Sequence, residues 1–245
     1  MDFFWEYFRW LYDAHGIKLT IFYDSLDRAR FFEGIWTTIH LAFICIILSI
    51  IIGIIGAWLQ KSEFVWIRRI VQGYIQFFRN TPPLIQLYFF YFAVDAALST
   101  VFNVKGGILD GYGWAVVSLS FFAGAFNVEI FRAGVESVPN STTEAAEALG
   151  YNRLQVYQYI TLPLAFRVCL PALNNNLINL LKTTTVAYAI AVPETIYVAN
   201  QIWSDEYNVL EMMNVVWIVY IVLVGVLVWM MHKWEKSIKI PGYGQ

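Results

Sequence analysis

The chain has 245 residues, of which 59% are apolar and only 14% charged, and its mean hydropathy is +0.56. Soluble domains carry roughly 25% charged residues, so an ordinary water-soluble monomer is excluded, while 10 Trp, 15 Tyr and 19 Phe suit a protein with membrane interfaces to fill. A net charge of -2 provides no basic field for nucleic acid.

The N-terminus has no basic region followed by an apolar stretch, so no cleavable signal peptide is expected. Asp2, Glu6, Arg9 and Asp13 share one helical face, and Phe4, Trp5, Phe8, Trp10, Leu11 and Tyr12 cover much of the rest. This is an amphipathic helix, either lying at a membrane surface or packed on the protein's own outer face. Five hydrophobic segments follow, each able to cross a core about 30 Å thick. The first, Ile35 to Leu59, contains Gly53 and Gly56, small residues that allow close helix approach. The second, about Val71 to Ala97, is interrupted by Arg79, Asn80, Pro82 and Pro83 and should bend there. The third is about Trp114 to Phe131, the fourth about Val168 to Val192 and the fifth Met212 to Met231. Gly124, Gly134 and Gly225 are expected at helix contacts. Cys45 and Cys169 lie in apolar surroundings without metal-ligand spacing and read as small buried hydrophobes.

The fold class expected is therefore an all-α membrane protein with five transmembrane helices. His232, Lys233, Lys236 and Lys239 are opposed only by Glu235, so the positive-inside rule puts the C-terminus in the cytoplasm. With an odd number of spans the N-terminus is outside. The region Gln60 to Arg79, with Lys61, Arg68, Arg69 and Arg79, and the segment Arg132 to Arg167 then fall inside; Asp95 to Gly113, with one Lys and two Asp, and Pro193 to Glu211, with only acids, fall outside.

The long internal segment between the third and fourth spans has a legible design. Ser141 and Glu144 have capping-box spacing, which would start a helix there. Ala145, Ala146, Ala148 and Leu149 favour helix and Gly150 ends it. Asn152 can cap a second helix from Arg153 to about Ile160, and Pro163 is expected to stop it. The result is a helix, a glycine elbow and a helix at the cytoplasmic face.

Glu144-Ala145-Ala146, Gly150 and Ile160-Thr161-Leu162-Pro163 resemble the signature of the membrane permease subunits of ABC importers. Phe77 to Gln86, Glu129 to Pro139, Leu170 to Leu173, Asn179 to Thr184, Val192-Pro193-Glu194 and Ile240 to Gly244 resemble the polar amino-acid branch, the histidine, glutamine, arginine and glutamate type of uptake system. The resemblance runs from about residue 33 to the C-terminus, departing at Phe126, Pro83 and Thr183. Residues 1–32 fall outside it and read as an N-terminal amphipathic, periplasmic-side segment; the resemblance implies 33–240 as the transmembrane domain with its coupling loop at about 136–166, and 241–245 as a cytoplasmic tail. It further implies that Glu144, Ala145, Ala146, Gly150, Leu162 and Pro163 form the coupling helix region that docks on the ATPase.

Polar groups within spans are expensive and tend to face an interior or a wet path. Arg79, Gln86, Asn127, Glu129, Asn175, Asn179, Lys182 and Thr183 are the candidates for a substrate pathway. Glu129 suits an ammonium, Arg79, Lys182, Asn175 and the threonines Thr183 to Thr185 a carboxylate, and Gln86 and Asn127 add neutral contacts. Alternatively Glu129 pairs with Arg79 or Lys182 and only fixes helix packing.

No phosphate-binding Gly-x-x-x-x-Gly-Lys motif, catalytic triad or metal motif is present in the sequence. The expected function is a permease subunit of an ATP-driven amino-acid importer in the bacterial inner membrane, and no enzyme. No cofactor is expected in this chain; ATP and Mg would be bound by partner ATPases. The partners implied are an ABC ATPase dimer, a second permease chain (the same or related), a periplasmic solute-binding protein and the amino-acid substrate. An ion-driven secondary carrier or a channel is the alternative.

Overall fold

In a computed structural model of the chain, residues 2–238 are described, with side chains from residue 5 onward; Lys239, the Ile240 to Gly244 stretch and the 241–245 tail lie outside them. All regular structure among the described residues is helical. Five segments are long and apolar enough to cross a membrane, as the sequence predicts.

Helix α1 (Asp2–His15) leads through the short α2 (Thr20–Tyr23) into α3 (Ser25–Leu59). Phe8 stacks on Phe22 at 4.3 Å, so α1 rests on α2 by one face, while Tyr7, Trp10 and Tyr12 remain exposed. Helix α3 starts ten residues before the predicted first span. The Asp24 carboxylate caps it, accepting from the Leu26 and Asp27 amides, a signal outside the apolar run.

The predicted bend in the second span is a full break. Helix α4 (Val65–Asn80) ends at Thr81, and α5 (Pro83–Tyr88) begins with Pro83 in its first turn, where a missing N–H costs nothing. The membrane-crossing stretch is Pro83–Phe102, later than predicted. It continues through a π-helical turn (Phe89–Val94) into α6 (Asp95–Phe102). Helix α4 buries Val71, Ile75 and Phe78, one stripe at helical spacing, and Tyr74 donates to the Phe121 carbonyl at 2.6 Å on the third span.

That third span, α7 (Gly111–Glu136), packs most closely against α3. Gly53 lies over Asn127, Gly56 over Val128 and Gly124 over Ile52, each leaving no room for a Cβ. Gly134 faces the Ala165 carbonyl in the same way. Gly225 departs from expectation: a Cβ there would meet open space.

Helix α8 (Asn140–Ala148) and α9 (Arg153–Val156) flank the elbow. Ser141 does not start α8: Pro139 occupies the N-cap position and no side chain caps it. An extended residue that fits Pro's fixed φ replaces the hydroxyl cap. Asn152 caps α9 as predicted, with Gln155 completing a reciprocal capping box. Pro163 does not stop the second helix. A π-helical turn (Tyr157–Thr161) precedes it and the winding continues as α10 (Leu162–Thr183). Proline lacks an N–H, and π winding absorbs the displaced hydrogen bonding. Arg153–Ile190 is thus one unbroken helical segment, whose last turns (Thr184–Ile190) tighten to 3-10 geometry.

Ala191 at φ 59° ends that run. Helix α11 (Thr195–Glu206), which the sequence reading missed, then precedes the fifth span, α12 (Val209–Ile238). Glu194 explains its start. The fully buried carboxylate caps α11, accepting from the Ile196 and Tyr197 amides at 3.0 and 2.9 Å and from the Tyr220 hydroxyl at 3.1 Å. Thr38 on α3 binds Thr195 beside it, Oγ1 to Oγ1 at 2.7 Å, so the cap joins α3, α11 and α12.

Burial raises the Glu194 carboxyl from 4.5 to about 7, against the pull of its three donors. The folded chain therefore holds a proton that the unfolded chain loses above pH 4.5. Stability should be greatest below that pH, fall as pH rises to about 7 and level off beyond, a span of about 3 kcal/mol. Thermal unfolding of the detergent-solubilised protein should show this decline, and Glu194→Gln should remove it. The same pH slope in the variant would refute the assignment.

Candidate functional site

Three consecutive asparagines on α10 point to different neighbours because successive helical residues lie about 100° apart. Asn174 faces α12, donating to Glu235 Oε2 at 3.3 Å. Asn176 donates to the Ala123 carbonyl at 3.0 Å and to Asn127 Oδ1 at 2.8 Å. Asn127 in turn donates to Ser49 Oγ on α3 at 3.2 Å. Asn175, between them, is exposed and borders a cavity of about 720 Å³.

The cavity's two walls follow from helical periodicity. On α10, Asn175, Asn179 and Thr183 recur every four residues, with Lys182 alongside; on α7, Phe122, Phe126 and Ile130 do the same. A polar stripe thus faces an apolar one. Lys182 takes part in none of the ion pairs found among the described residues. Its ammonium is exposed at the cavity wall beside amide and hydroxyl donors, a combination that receives a carboxylate.

A second cavity of about 500 Å³ shares Phe126, Ile130 and Ala172 with the first and adds Arg79, Glu129 and Arg132. Here Glu129 is firmly held. Arg132 reaches its Oε2 at 2.8 Å, Gln60 donates to Oε1 at 3.2 Å, and Arg79 Nη1 stands at 3.9 Å. Arg132 also pairs with Glu136 at 2.6 Å. Glu129, Arg132 and Glu136 form an i, i+3, i+7 ladder on α7, so the main partner of Glu129 was readable from spacing alone and neither of the arginine and lysine partners expected is the nearest. The Arg79 guanidinium lies 5.4 Å from the Phe126 ring centre, at the junction of the cavities.

The structure therefore brings Asn175, Asn179, Lys182 and Thr183 to one cavity and Arg79 and Glu129 to its neighbour. Gln86 and Asn127 line neither. Gln86 is buried and its amide nitrogen donates to the Phe78 and Thr81 carbonyls, both at 2.9 Å, and to Thr81 Oγ1 at 2.6 Å. It splints the break between α4 and α5, whose freed carbonyls need donors. Asn127 is fully buried in the α3–α7–α10 network.

The elbow is the second notable feature. The Tyr151 amide bonds to the Ala146 carbonyl at 3.2 Å and the Gly150 amide to Glu147 at 2.9 Å, with Gly150 at φ +91°. This paired closure needs a left-handed residue at 150. Ala146 is buried and seats α8, whereas Glu144, Ala145 and Gly150 are on the outside. Leu149 is 80% exposed and Leu154 64%, an apolar patch on a polar knob. Leu162 and Pro163 are exposed too, beyond the π-helical turn.

Sequence and structure comparisons agree on the relatives. The family described as "Binding-protein-dependent transport system inner membrane component" matches residues 49–240. The octopine transport system permease protein OccM of Rhizobium radiobacter is 30% identical over 196 residues, covering 78% of this chain and 78% of that protein. The histidine/lysine/arginine/ornithine transport system permease protein HisM of Salmonella typhimurium is 29% identical over 211 residues, covering 84% and 88%. Among solved structures, a chain of the crystal structure of an amino acid ABC transporter with histidines superposes with a TM-score of 0.76 at 25% identity, over 86% of this chain and 94% of that one. An inward-facing MetNI methionine ABC transporter shares the fold at a TM-score of 0.70 and 18% identity, over 89% of this chain and 100% of that one.

Proposed function

Because the chain belongs to the family of binding-protein-dependent transport system inner membrane components, we propose that the two joined cavities are its half of a path for a polar or charged amino acid. The chain is a multi-pass inner-membrane permease subunit of an ATP-driven amino-acid importer and not the ATPase. The ion-driven carrier is set aside by that membership.

The observation that carries the pathway reading is the polar α10 stripe opposite Phe122, Phe126 and Ile130. Lys182 and the asparagines receive the substrate carboxylate there. Glu129, already bound by Arg132, serves as a fixed negative end next to Arg79 and offers an ammonium a shared acceptor. The cavities are open along one side, and a second permease chain, identical or related, closes them. The elbow of α8 and α9 faces the cytoplasm, a reading supported by the distribution of basic residues, and Glu144, Ala145, Gly150 and Leu149 meet the ATPase. Each ATPase of the pair binds ATP and Mg, and a solute-binding protein delivers substrate at the opposite face. ATP binding then drives alternating access by favouring one arrangement of the paired bundles.

The test is uptake by the complete importer in proteoliposomes, with its ATPase and solute-binding protein. Lys182→Met should lower amino-acid uptake about tenfold, the factor expected for losing one charge-assisted contact of at least 1.4 kcal/mol. The assembled complex should still hydrolyse ATP. Unchanged uptake with Lys182→Met, or with Asn175→Ala and Asn179→Ala together, would refute the pathway.

A further inference from the structure

A groove of about 510 Å³ lies between the N-terminal elements, α3 and α12, away from the pathway. Its lining is almost wholly apolar in its depth: Phe31, Phe32 and Ile35 from α3, and Val215, Ile218 and Val219 from α12. Arg28 and Glu211 also line it, and both belong to the first turns of their helices. As the first and fifth of five spans, α3 and α12 run in the same direction, so both charges stand at one end of the bundle. From Arg28 to Ile35 the helix rises about 10 Å and from Glu211 to Val219 about 12 Å. The groove therefore has a charged mouth at the end of the spans and an apolar depth within them.

The mouth carries charges of both signs. The Arg28 guanidinium lies 4.6 Å from the Trp5 ring centre and enters none of the ion pairs among the described residues. Glu211 is held by one oxygen, which accepts from the Lys18 amide at 3.1 Å, while the Lys18 ammonium is paired with Glu206. Phe32 and Ile218 on the flanks are exposed by 62% and 54%, on two helices long and apolar enough to cross a membrane.

We propose that this groove holds one acyl chain of a bilayer phospholipid with a zwitterionic headgroup bearing a primary ammonium. Arg28 receives its phosphate, steadied by the Trp5 ring, and Glu211 receives its ammonium. The charge pair selects the occupant: a purely anionic headgroup would meet the Glu211 carboxylate, and a quaternary ammonium has no N–H to donate to it. The lining residues from the N-terminal elements and α3 all precede residue 49, where the family match begins, and those from α12 fall within it. The groove is thus formed where the N-terminal elements meet the last span.

The test is native mass spectrometry of the full chain in mild detergent, titrated separately with phosphatidylethanolamine, phosphatidylglycerol and phosphatidylcholine. One phosphatidylethanolamine should be retained at least fivefold more strongly than either of the others. Arg28→Gln and Glu211→Gln should each reduce that retention at least fivefold, and Ile218→Trp, which narrows the groove from an exposed position, should abolish it. Thermal unfolding of each variant reports whether it is folded, and the two glutamine variants suffice if Ile218→Trp is not. Retention that ignores the headgroup, a preference for phosphatidylglycerol, no retained lipid, or equal retention by the wild type and both glutamine variants would each overturn the proposal.

Discussion

Gly150→Val is expected to leave insertion and complex assembly intact while reducing ATP-driven uptake at least tenfold. At φ +91° a β-branched residue is a steric outlier, and left-handed backbone costs other L-residues roughly 1–2 kcal/mol. Nothing stands within 4 Å of a Cβ there, so the effect is one of backbone conformation rather than collision. The closure from Tyr151 to Ala146 would open and α8 would change direction relative to α9. The elbow is on the surface, which is why the rest of the bundle should survive. Gly150→Asn, which visits the left-handed region more easily, should retain most uptake, and Gly150→Ala should fall between. ATP hydrolysis that no longer yields uptake in Gly150→Val would be the signature; full uptake would refute the coupling role.

Gly53→Val should damage the fold itself. A Cβ at 53 would stand 2.5 Å from Asn127 Cβ and 3.1 Å from its carbonyl carbon. Those atoms are attached to the α7 backbone and cannot turn aside as the tip of a long side chain would. Helices α3 and α7 must then separate, loosening the Asn127 to Ser49 bond together with the packing around it. Overpacking a close-fitted interface costs roughly 1–3 kcal/mol, and a separated buried amide adds roughly 1–3 kcal/mol. A fall in unfolding temperature and in monodisperse yield is the measurement. Gly73→Ala, where nothing lies within 4 Å, is the matched control and should be neutral or slightly stabilising. Equal behaviour of the two variants would refute this account of the helix contact.

What was legible in the sequence was whatever depends on composition, periodicity or a single special residue. Five apolar runs gave five spans, Gly53 and Gly56 marked the close helix pair, and Gly150 and Asn152 marked the elbow. What was not legible depends on partners distant in the chain. Helix α11 was missed because its cap, Glu194, is acidic and lies in a stretch that looks like an outer loop; its burial against Thr38 and Tyr220 shows only in three dimensions. Gln86 and Asn127 are picked by the same rule as Asn175 and Lys182, yet only the latter two border a cavity. Only the contacts separate an amide that splints a helix break from one that borders open space. Pro163 misled for a local reason: a proline ends an α-helix more readily than one that has already shifted to π winding.

The unbroken winding from Arg153 to Ile190 gives the elbow mechanical advantage. Asn175 stands about 33 Å along the axis from Arg153, so a tilt of about 5° at the elbow would sweep the cavity wall by about 3 Å, comparable with one hydrogen-bond length. Asn176 is fastened to Asn127 at 2.8 Å on the neighbouring helix. Together with its bond to the Ala123 carbonyl at 3.0 Å, this contact ties the shaft to α7, so any tilt of the shaft must either carry α7 along or break both bonds.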